Sequence, residues 1–140
     1  MSGQPRTIVV VDDDADFLLL TRELLESAGY RVVAFGQPQD ATAWLAERRP
    51  DLVVSDLMMD ALDAGFSFAR WIKEQPALRG VPVLIVTAVG SALGLDFAPR
   101  SPDELRLLAA DGYLEKPVPP AALLDQVRTL LENAGKEQVP

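Results

Sequence analysis

The stretch Ile8-Val-Val-Val-Asp-Asp-Asp14 sets four aliphatic residues directly before three aspartates. Four apolar residues with no polar residue among them predict a strand buried on both faces, as in the middle of a parallel sheet. Acidic residues that follow such a strand lie at its carboxyl end, where open α/β sheets bind ligands. The stretch therefore predicts a fold class and the place of a site.

Further strand-like runs alternate with amphipathic helical patterns along the chain. The five predicted strands are Ile8–Val11, Val32–Phe35, Leu52–Ser55, Val81–Val86 and Gly112–Leu114. The residues that share one face of each of the five predicted helices are Phe17, Leu20, Leu24 and Ala28, ended by Gly29; Ala41, Trp44, Leu45 and Arg48; Phe68, Ala69 and Ile72; Leu105, Leu108 and Ala109; and Leu123, Leu124, Val127, Leu130 and Leu131, behind Pro119 and Pro120. This order predicts a single α/β domain, a doubly wound (βα)5 unit with helices on both faces of the sheet.

Composition narrows the function classes. The 140 residues are 49% apolar, which is enough for one buried core, and carry a net charge of −8, which disfavours direct binding to nucleic acid. The chain has no cysteine and no histidine, so thiolate chemistry, Ser-His-Asp triads and a phosphohistidine on this chain are excluded. It has neither an apolar run of the ~18 residues of a membrane helix nor a signal segment, so we expect no membrane contact and a cytoplasmic location.

Three acids are predicted to meet at the carboxyl edge of the sheet. Asp12 and Asp13 end the first strand and Asp56 ends the third. Carboxylates that close repel one another unless a cation neutralises them, and Mg²⁺ prefers such oxygen ligands. The alternative is that the Asp12–Asp14 run is only a solvated helix start, a place that suits Asp14 or Asp16.

Two more polar residues follow strands on the same edge. Thr87 ends the fourth strand and Lys116 follows the fifth. A lysine ammonium and a threonine hydroxyl can both contact a phosphoryl oxygen, so together they complete a phosphate-sized site. Alternatively, Thr87 is an ordinary β-branched strand residue and Lys116 an ordinary surface lysine.

Four segments together resemble the receiver domain of two-component response regulators, over about residues 6–134. They are Ile8-Val-Val-Val-Asp-Asp-Asp14, Asp51-Leu-Val-Val-Ser-Asp-Leu-Met-Met59, Pro82-Val-Leu-Ile-Val-Thr-Ala88 and Asp111-Gly-Tyr-Leu-Glu-Lys-Pro117. The resemblance implies a flavodoxin-like fold with strand order 2-1-3-4-5. We expect the receiver domain to cover 7–134, between an N-terminal tail, 1–6, and a C-terminal tail or linker start, 135–140.

The resemblance also implies roles for the acids. Asp56 matches the phospho-acceptor, a carboxylate nucleophile that forms an acyl phosphate. Asp13 and Asp56 match direct Mg²⁺ ligands, and Asp12 matches an acid that acts mainly through water. The backbone carbonyl of Met58 matches the third protein ligand.

The remaining motif residues imply a switch. Lys116 matches the lysine that contacts the phosphoryl group, with a cis bond to Pro117. Thr87 and Tyr113 match the switch pair that reports phosphorylation to the surface formed by the fourth helix, fifth strand and fifth helix.

The resemblance implies partners from a bacterial phosphorelay. The phosphoryl donor is then a phosphohistidine of a histidine kinase or histidine phosphotransfer protein. The output acts on a downstream protein target or through a fused output domain. Homodimer formation stays open. We expect a signalling domain rather than an enzyme, one that only assists its own phosphorylation and slow self-dephosphorylation. The loss of phosphate is expected to be slow because Met58 and Val89 are apolar and cannot orient an attacking water.

The chain departs from these relatives at two places. Asp60 stands where they usually have a proline, which predicts a more mobile loop. An insertion of about 89–102, between the fourth strand and fourth helix, contains glycines, prolines and apolar anchors that predict a loop. We hypothesise that this insertion alters partner choice or covers the crevice.

Two other readings remain open. One is a receiver-like binding module that is never phosphorylated. The other is a phosphatase similar to the haloacid dehalogenases, which would use Asp12-x-Asp14 and leave Asp56 unused. The phosphatase reading requires Asp14, so variants at Asp14 and Asp56 separate it from the receiver reading.

Overall fold

A five-stranded parallel sheet forms the centre of the fold. The computed structural model describes residues 5–56, 64–88 and 110–137. The strands are β1 (Thr7–Val11), β2 (Arg31–Phe35), β3 (Leu52–Ser55), β4 (Val83–Thr87) and β5 (Gly112–Glu115). They pair in the order β2-β1-β3-β4-β5, and every pairing is parallel. The predicted fold class and strand order are confirmed.

Helices cover both faces of this sheet. They are α1 (Ala15–Ser27), α2 (Pro38–Leu45), α3 (Ala64–Glu74) and α4 (Pro120–Glu137). Helix α4 is the fifth predicted helix, whereas the fourth predicted helix and the insertion of 89–102 lie outside the described residues. None of the helices within the described ranges combines the length and apolar character that crossing a membrane requires.

Two apolar clusters form the core, one on each face of the sheet. In β1, Val9 and Val11 pack on the side of α2 and α3, and Ile8 and Val10 pack on the side of α1 and α4. All four side chains are fully buried. Burial on both faces is the physical reason why this strand is a continuous apolar run rather than an alternating one.

The ends of helix α1 follow the sequence signals. The side chain of Asp14 accepts hydrogen bonds from the backbone N–H groups of Asp16 and Phe17, at 3.0 and 3.2 Å. Asp14 therefore caps the helix, which is one of the roles that the acidic run predicted. Gly29 has φ +98°, a conformation that favours glycine, two residues beyond the last helical residue.

The buried face of α1 differs from the prediction. Leu20, a member of the predicted apolar stripe, is 66% exposed, whereas Thr21 and Leu25 are buried. Phe17 and Leu24 are partly buried at the edge of the same cluster. Residues 17–20 are all apolar, so helical periodicity fits more than one stripe, and packing against the sheet selects among them.

Strand β4 begins two residues later than predicted. The N–H of Val81 donates to the carbonyl of Leu78 at 2.9 Å and closes a turn before the strand. The side chain of Asp111 then accepts hydrogen bonds from the N–H of Val83 at 2.8 Å and from Lys73 Nζ at 2.7 Å. Asp111 thereby ties α3 and the entry to β5 to the first residue of β4.

Candidate functional site

Backbone hydrogen bonds position two of the acids just beyond their strands. The N–H of Asp12 donates to the carbonyl of Phe35 at 3.1 Å, and the N–H of Asp56 donates to the carbonyl of Val11 at 3.2 Å. Each bond continues a strand pairing by one residue. Since both strands end at the same edge of the sheet, their acidic side chains enter one crevice.

The three predicted acids are brought together there. Carboxylate oxygens of Asp12, Asp13 and Asp56 lie within 4.8 Å of one another. Asp12 is 1% exposed and Asp56 5%, while Asp13 is exposed to solvent. A cluster of hard oxygen donors with one open side fits Mg²⁺, which binds a few carboxylates and keeps several waters. Met58, the other predicted ligand, lies outside the described residues.

Lys116 reaches the same crevice from the end of β5. Its N–H donates to the carbonyl of Thr87 at 2.9 Å, which fixes the backbone beside β4. Its Nζ lies 2.7 Å from Asp12 Oδ2 and 3.4 Å from Asp56 Oδ2. Burial alone would lower the pKa of Lys116, but the hydrogen bond and charge of Asp12, together with Asp56, raise it above its ordinary value. The lysine therefore stays a cation in the crevice.

The carboxyl of Asp12 is electrostatically disfavoured as an anion. Burial raises its pKa, and the hydrogen bonds from Lys116 and from the N–H of Asp14 oppose that rise only in part. A divalent cation at this point would offset the penalty of the buried negative charge. The donor set and its electrostatics thus both suit a metal ion.

The predicted switch pair lies on adjacent strands. Thr87 is the last residue of β4 and is fully buried. Tyr113 in β5 pairs with Ile85 of β4 and packs, half-buried, against the core cluster on the side of α2 and α3. The Lys116–Pro117 bond is cis, as expected.

Asp14 has a structural role instead of a place in the crevice. Its carboxylate caps α1 through Asp16 and Phe17. The phosphatase reading needs Asp14 as a reactive group, so this geometry disfavours that reading.

Phe17 is a neighbour of the site that the sequence did not predict. Lys116 Nζ lies 4.2 Å from the centroid of the Phe17 ring. Phe17 was assigned to a core stripe because its spacing fits one. The available signal was its place in the first turn of the helix that follows the acidic run.

An apolar groove of about 770 Å³ opens beside Lys116, between α1 and the start of α4. Leu20 and Leu24 line it from α1, and Val118 and Leu123 from the other side. The exposed Leu20 is thus explained as part of a groove wall rather than of the core.

The match to known proteins agrees with this geometry. Residues 8–128 match the family model described as the response regulator receiver domain. The chain is 33% identical to the transcriptional regulatory protein GltR of Pseudomonas aeruginosa, with 99% of this chain and 54% of that protein covered. It is 27% identical to the polar-differentiation response regulator DivK of Brucella anthropi, with 93% and 99% covered.

A solved structure supports the same assignment. The signal receiver domain of a signal transduction histidine kinase from Syntrophus aciditrophicus superposes with a TM-score of 0.73 at 28% identity, and 91% of each chain is covered. The chain therefore spans about half the length of GltR and nearly all of DivK.

Proposed function

Because this chain belongs to the response regulator receiver domain family, we propose that Asp56 accepts a phosphoryl group from a phosphohistidine of a partner protein. The observation that carries the proposal is the buried Asp56 carboxylate, which lies beside Asp12, Asp13 and the Lys116 ammonium. A receiver is a signalling domain rather than a classical enzyme, and its chemistry serves to modify itself.

In the proposed transfer, an oxygen of the Asp56 carboxylate forms a bond to phosphorus. The bond between phosphorus and the histidine nitrogen of the donor breaks, and the imidazole leaves with the electron pair of that bond. Lys116 supplies positive charge to the phosphoryl oxygens, and its fixed backbone at Thr87 keeps it at that edge of the crevice.

We propose that Asp12, Asp13, Asp56 and the carbonyl of Met58 hold Mg²⁺ beside the acceptor. When bound, Mg²⁺ supplies positive charge that lets an anionic phosphoryl group approach the carboxylates. The convergence of the three acids supports the metal assignment. Asp12 also accepts a hydrogen bond from Lys116 Nζ, so it connects the Lys116 ammonium to the proposed metal site.

The signal would leave the site through Thr87 and Tyr113. The Thr87 hydroxyl moves toward the phosphoryl oxygen, and the Tyr113 ring turns inward. The support is their place on adjacent strands, with Lys116 bonded to Thr87 through its backbone. The output surface would include β5, α4 and the predicted fourth helix, and the target is a separate protein or a fused output domain.

The donor would be a histidine kinase or a histidine phosphotransfer protein. The groove between α1 and α4 offers an apolar surface that Lys116 also lines, and the Lys116 ammonium lies 3.4 Å from Asp56 Oδ2. We place the donor on this surface because its phosphohistidine would then face the crevice.

The insertion of about 89–102 is proposed to alter partner choice or cover the crevice. A deletion variant with unchanged donor specificity and phosphate lifetime would refute that proposal.

The central test uses acetyl phosphate and Mg²⁺, with intact-mass measurement of the full chain. We expect the wild-type chain to gain one phosphoryl group and Asp56→Asn to gain none. Chelation of the metal should abolish labelling of the wild type. Asp14→Asn is the matched control, because the Asp14 side chain is not part of the acid cluster and an amide oxygen can still accept the capping bonds from Asp16 and Phe17.

Two results would overturn the proposal. Labelling of Asp56→Asn at the wild-type rate would place the acceptor elsewhere. A chain that is not labelled, and that binds no beryllofluoride with Mg²⁺, would be the receiver-like binding module instead.

Slow self-dephosphorylation is the second expectation for the labelled protein. Met58 and Val89 are apolar and offer no hydrogen bond to an attacking water. We expect Met58→Asn to lose phosphate faster than the wild type, measured by the decay of the labelled mass after removal of acetyl phosphate. A variant that keeps its phosphate as long as the wild type would contradict this.

A further inference from the structure

Among the described residues, the Lys116 ammonium has three attractive neighbours, which come from three different parts of the fold. Its Nζ lies 2.7 Å from Asp12 Oδ2 after β1 and 3.4 Å from Asp56 Oδ2 after β3. The third neighbour is the ring of Phe17 in α1, with its centroid 4.2 Å away. An ammonium within about 6 Å of an aromatic centroid is attracted to the negative face of the ring.

The ring differs from the two carboxylates in one important respect. Asp12 and Asp56 belong to the acid cluster that suits a metal ion, so a bound cation would share their negative charge and weaken their hold on the ammonium. The negative face of an aromatic ring carries no titratable charge and does not ligate magnesium. Its attraction for Lys116 therefore persists when the acids are engaged.

The position of the ring is fixed independently of the lysine. The N–H of Phe17 donates to the capping carboxylate of Asp14 at 3.2 Å, and the N–H of Asp14 donates to Asp12 Oδ1 at 2.9 Å. The ring also packs against the core cluster on the side of α1 and α4. This hydrogen-bonded turn thus connects the buried Asp12 to Phe17, whose ring faces Lys116.

We infer that Phe17 is a positioning residue for phosphoryl transfer, whose ring holds the Lys116 ammonium at the crevice while the acids bind the metal. The inference rests on the proposed function of Asp56 and Lys116, and it concerns how the lysine is kept in place. Lysine has a long and flexible side chain, so a fixed aromatic face lowers the number of arrangements in which it leaves the acceptor.

The first experiment varies the charge distribution of the ring without changing its shape. Phe17 is replaced in the full chain by phenylalanines that carry one, two and three ring fluorines, which weaken the negative face step by step. We expect the rate of labelling by acetyl phosphate at saturating Mg²⁺ to fall with each fluorine, to roughly two- to tenfold below the wild type. Phe17→Leu should be labelled as slowly as the trifluoro variant, and Phe17→Tyr should be labelled at the wild-type rate.

The second readout needs neither phosphate nor metal. The chain has only three lysines, so selective ¹³C labelling gives three ε-methylene signals, and Lys116→Arg identifies one of them. We expect the ring of Phe17 to shift the Lys116 signal upfield in the metal-free protein, and this shift to disappear in Phe17→Leu. The shift should persist when Mg²⁺ is added.

The outcomes separate this inference from the function on which it rests. If the wild type is not labelled, the proposed function fails, whatever the NMR spectrum shows. If the wild type is labelled but the fluorinated series keeps its rate, the ring only fills space and the inference is wrong. A Lys116 signal that moves away from the ring on addition of Mg²⁺ would also overturn it.

Discussion

Asp12 and Asp56 are the buried carboxylates among the described residues, and both face the crevice. A core of this size gains stability from apolar groups, whereas a buried anion opposes folding unless it is paired. The raised pKa of Asp12 indicates that Lys116 compensates only part of the effect of burial. The ionised Asp12 carboxylate therefore weakens the metal-free fold, and metal binding would restore part of that loss.

Asp12→Asn should accordingly stabilise the metal-free protein at neutral pH. A carboxyl whose pKa is higher in the folded chain holds its proton more tightly there, so ionisation above about pH 4 destabilises the fold. The free energy of unfolding of the variant, measured by urea denaturation in EDTA, should exceed that of the wild type at pH 7.5. The difference should shrink as the pH falls and Asp12 becomes protonated.

The matched control for this measurement is Asp125→Asn, since the pair that Asp125 forms with Arg128 is exposed. Exposed pairs contribute little, so the free energy of unfolding of this control should stay within about 0.5 kcal/mol of the wild type. A difference between Asp12→Asn and the wild type that grows toward low pH would contradict the assigned direction.

At the scale of elements, α1 shows where periodicity is not enough. The run of apolar residues at 17–20 fits several stripes, and the structure turns Thr21 and Leu25 inward and Leu20 outward. The ends of the helix were predictable, because Asp14 accepts hydrogen bonds from the first N–H groups of the helix and Gly29 adopts the positive φ that follows its end. Its rotation was not, because the sheet and α4 decide which face is buried.

A pair of identical substitutions tests this rotation. Leu25→Ala removes a fully buried side chain and should lower the free energy of unfolding by about 2–4 kcal/mol. Leu20→Ala, at a position 66% exposed, should change it by less than about 0.5 kcal/mol. Urea denaturation followed by far-UV circular dichroism gives both values, and equal losses at the two positions would show that the buried face is misassigned.

At the scale of the whole molecule, the groove joins the surface to the site. It is lined by α1 on one side and by the turn into α4 on the other, and Lys116 is among its lining residues. Small phosphate donors need no such surface, whereas a protein donor must dock beside Asp56. A variant with a docking defect should therefore be slow only with the protein donor, whereas a variant with a catalytic defect should be slow with both kinds of donor.

We expect Leu20→Glu to slow transfer from a phosphorylated histidine phosphotransfer protein that labels the wild-type chain, by roughly fivefold or more. Labelling by acetyl phosphate should be unchanged. Leu19→Glu is the matched control, because Leu19 is 56% exposed on the same helix but does not line the groove. Equal effects of the two variants on protein transfer would contradict docking in the groove.

The fold and the main members of the site were predictable from the amino-acid sequence. Continuous apolar strands predict a sheet that is covered on both faces. Ligands of such a sheet bind beyond the carboxyl ends of the strands, and this edge is where Asp12, Asp13, Asp56, Thr87 and Lys116 follow or end their strands. These features depend on local pattern and on chain order, which a sequence carries directly.

The contacts between distant side chains were not predictable from the sequence. The contact of Phe17 with Lys116 joins residues 99 positions apart (116 − 17), and the bond of Asp111 to Val83 joins residues 28 apart. The exposed face of α1 likewise depends on its packing partners. Such contacts follow from how whole elements rotate and pack against one another, because the free energy of burial is shared by side chains that are distant in the sequence.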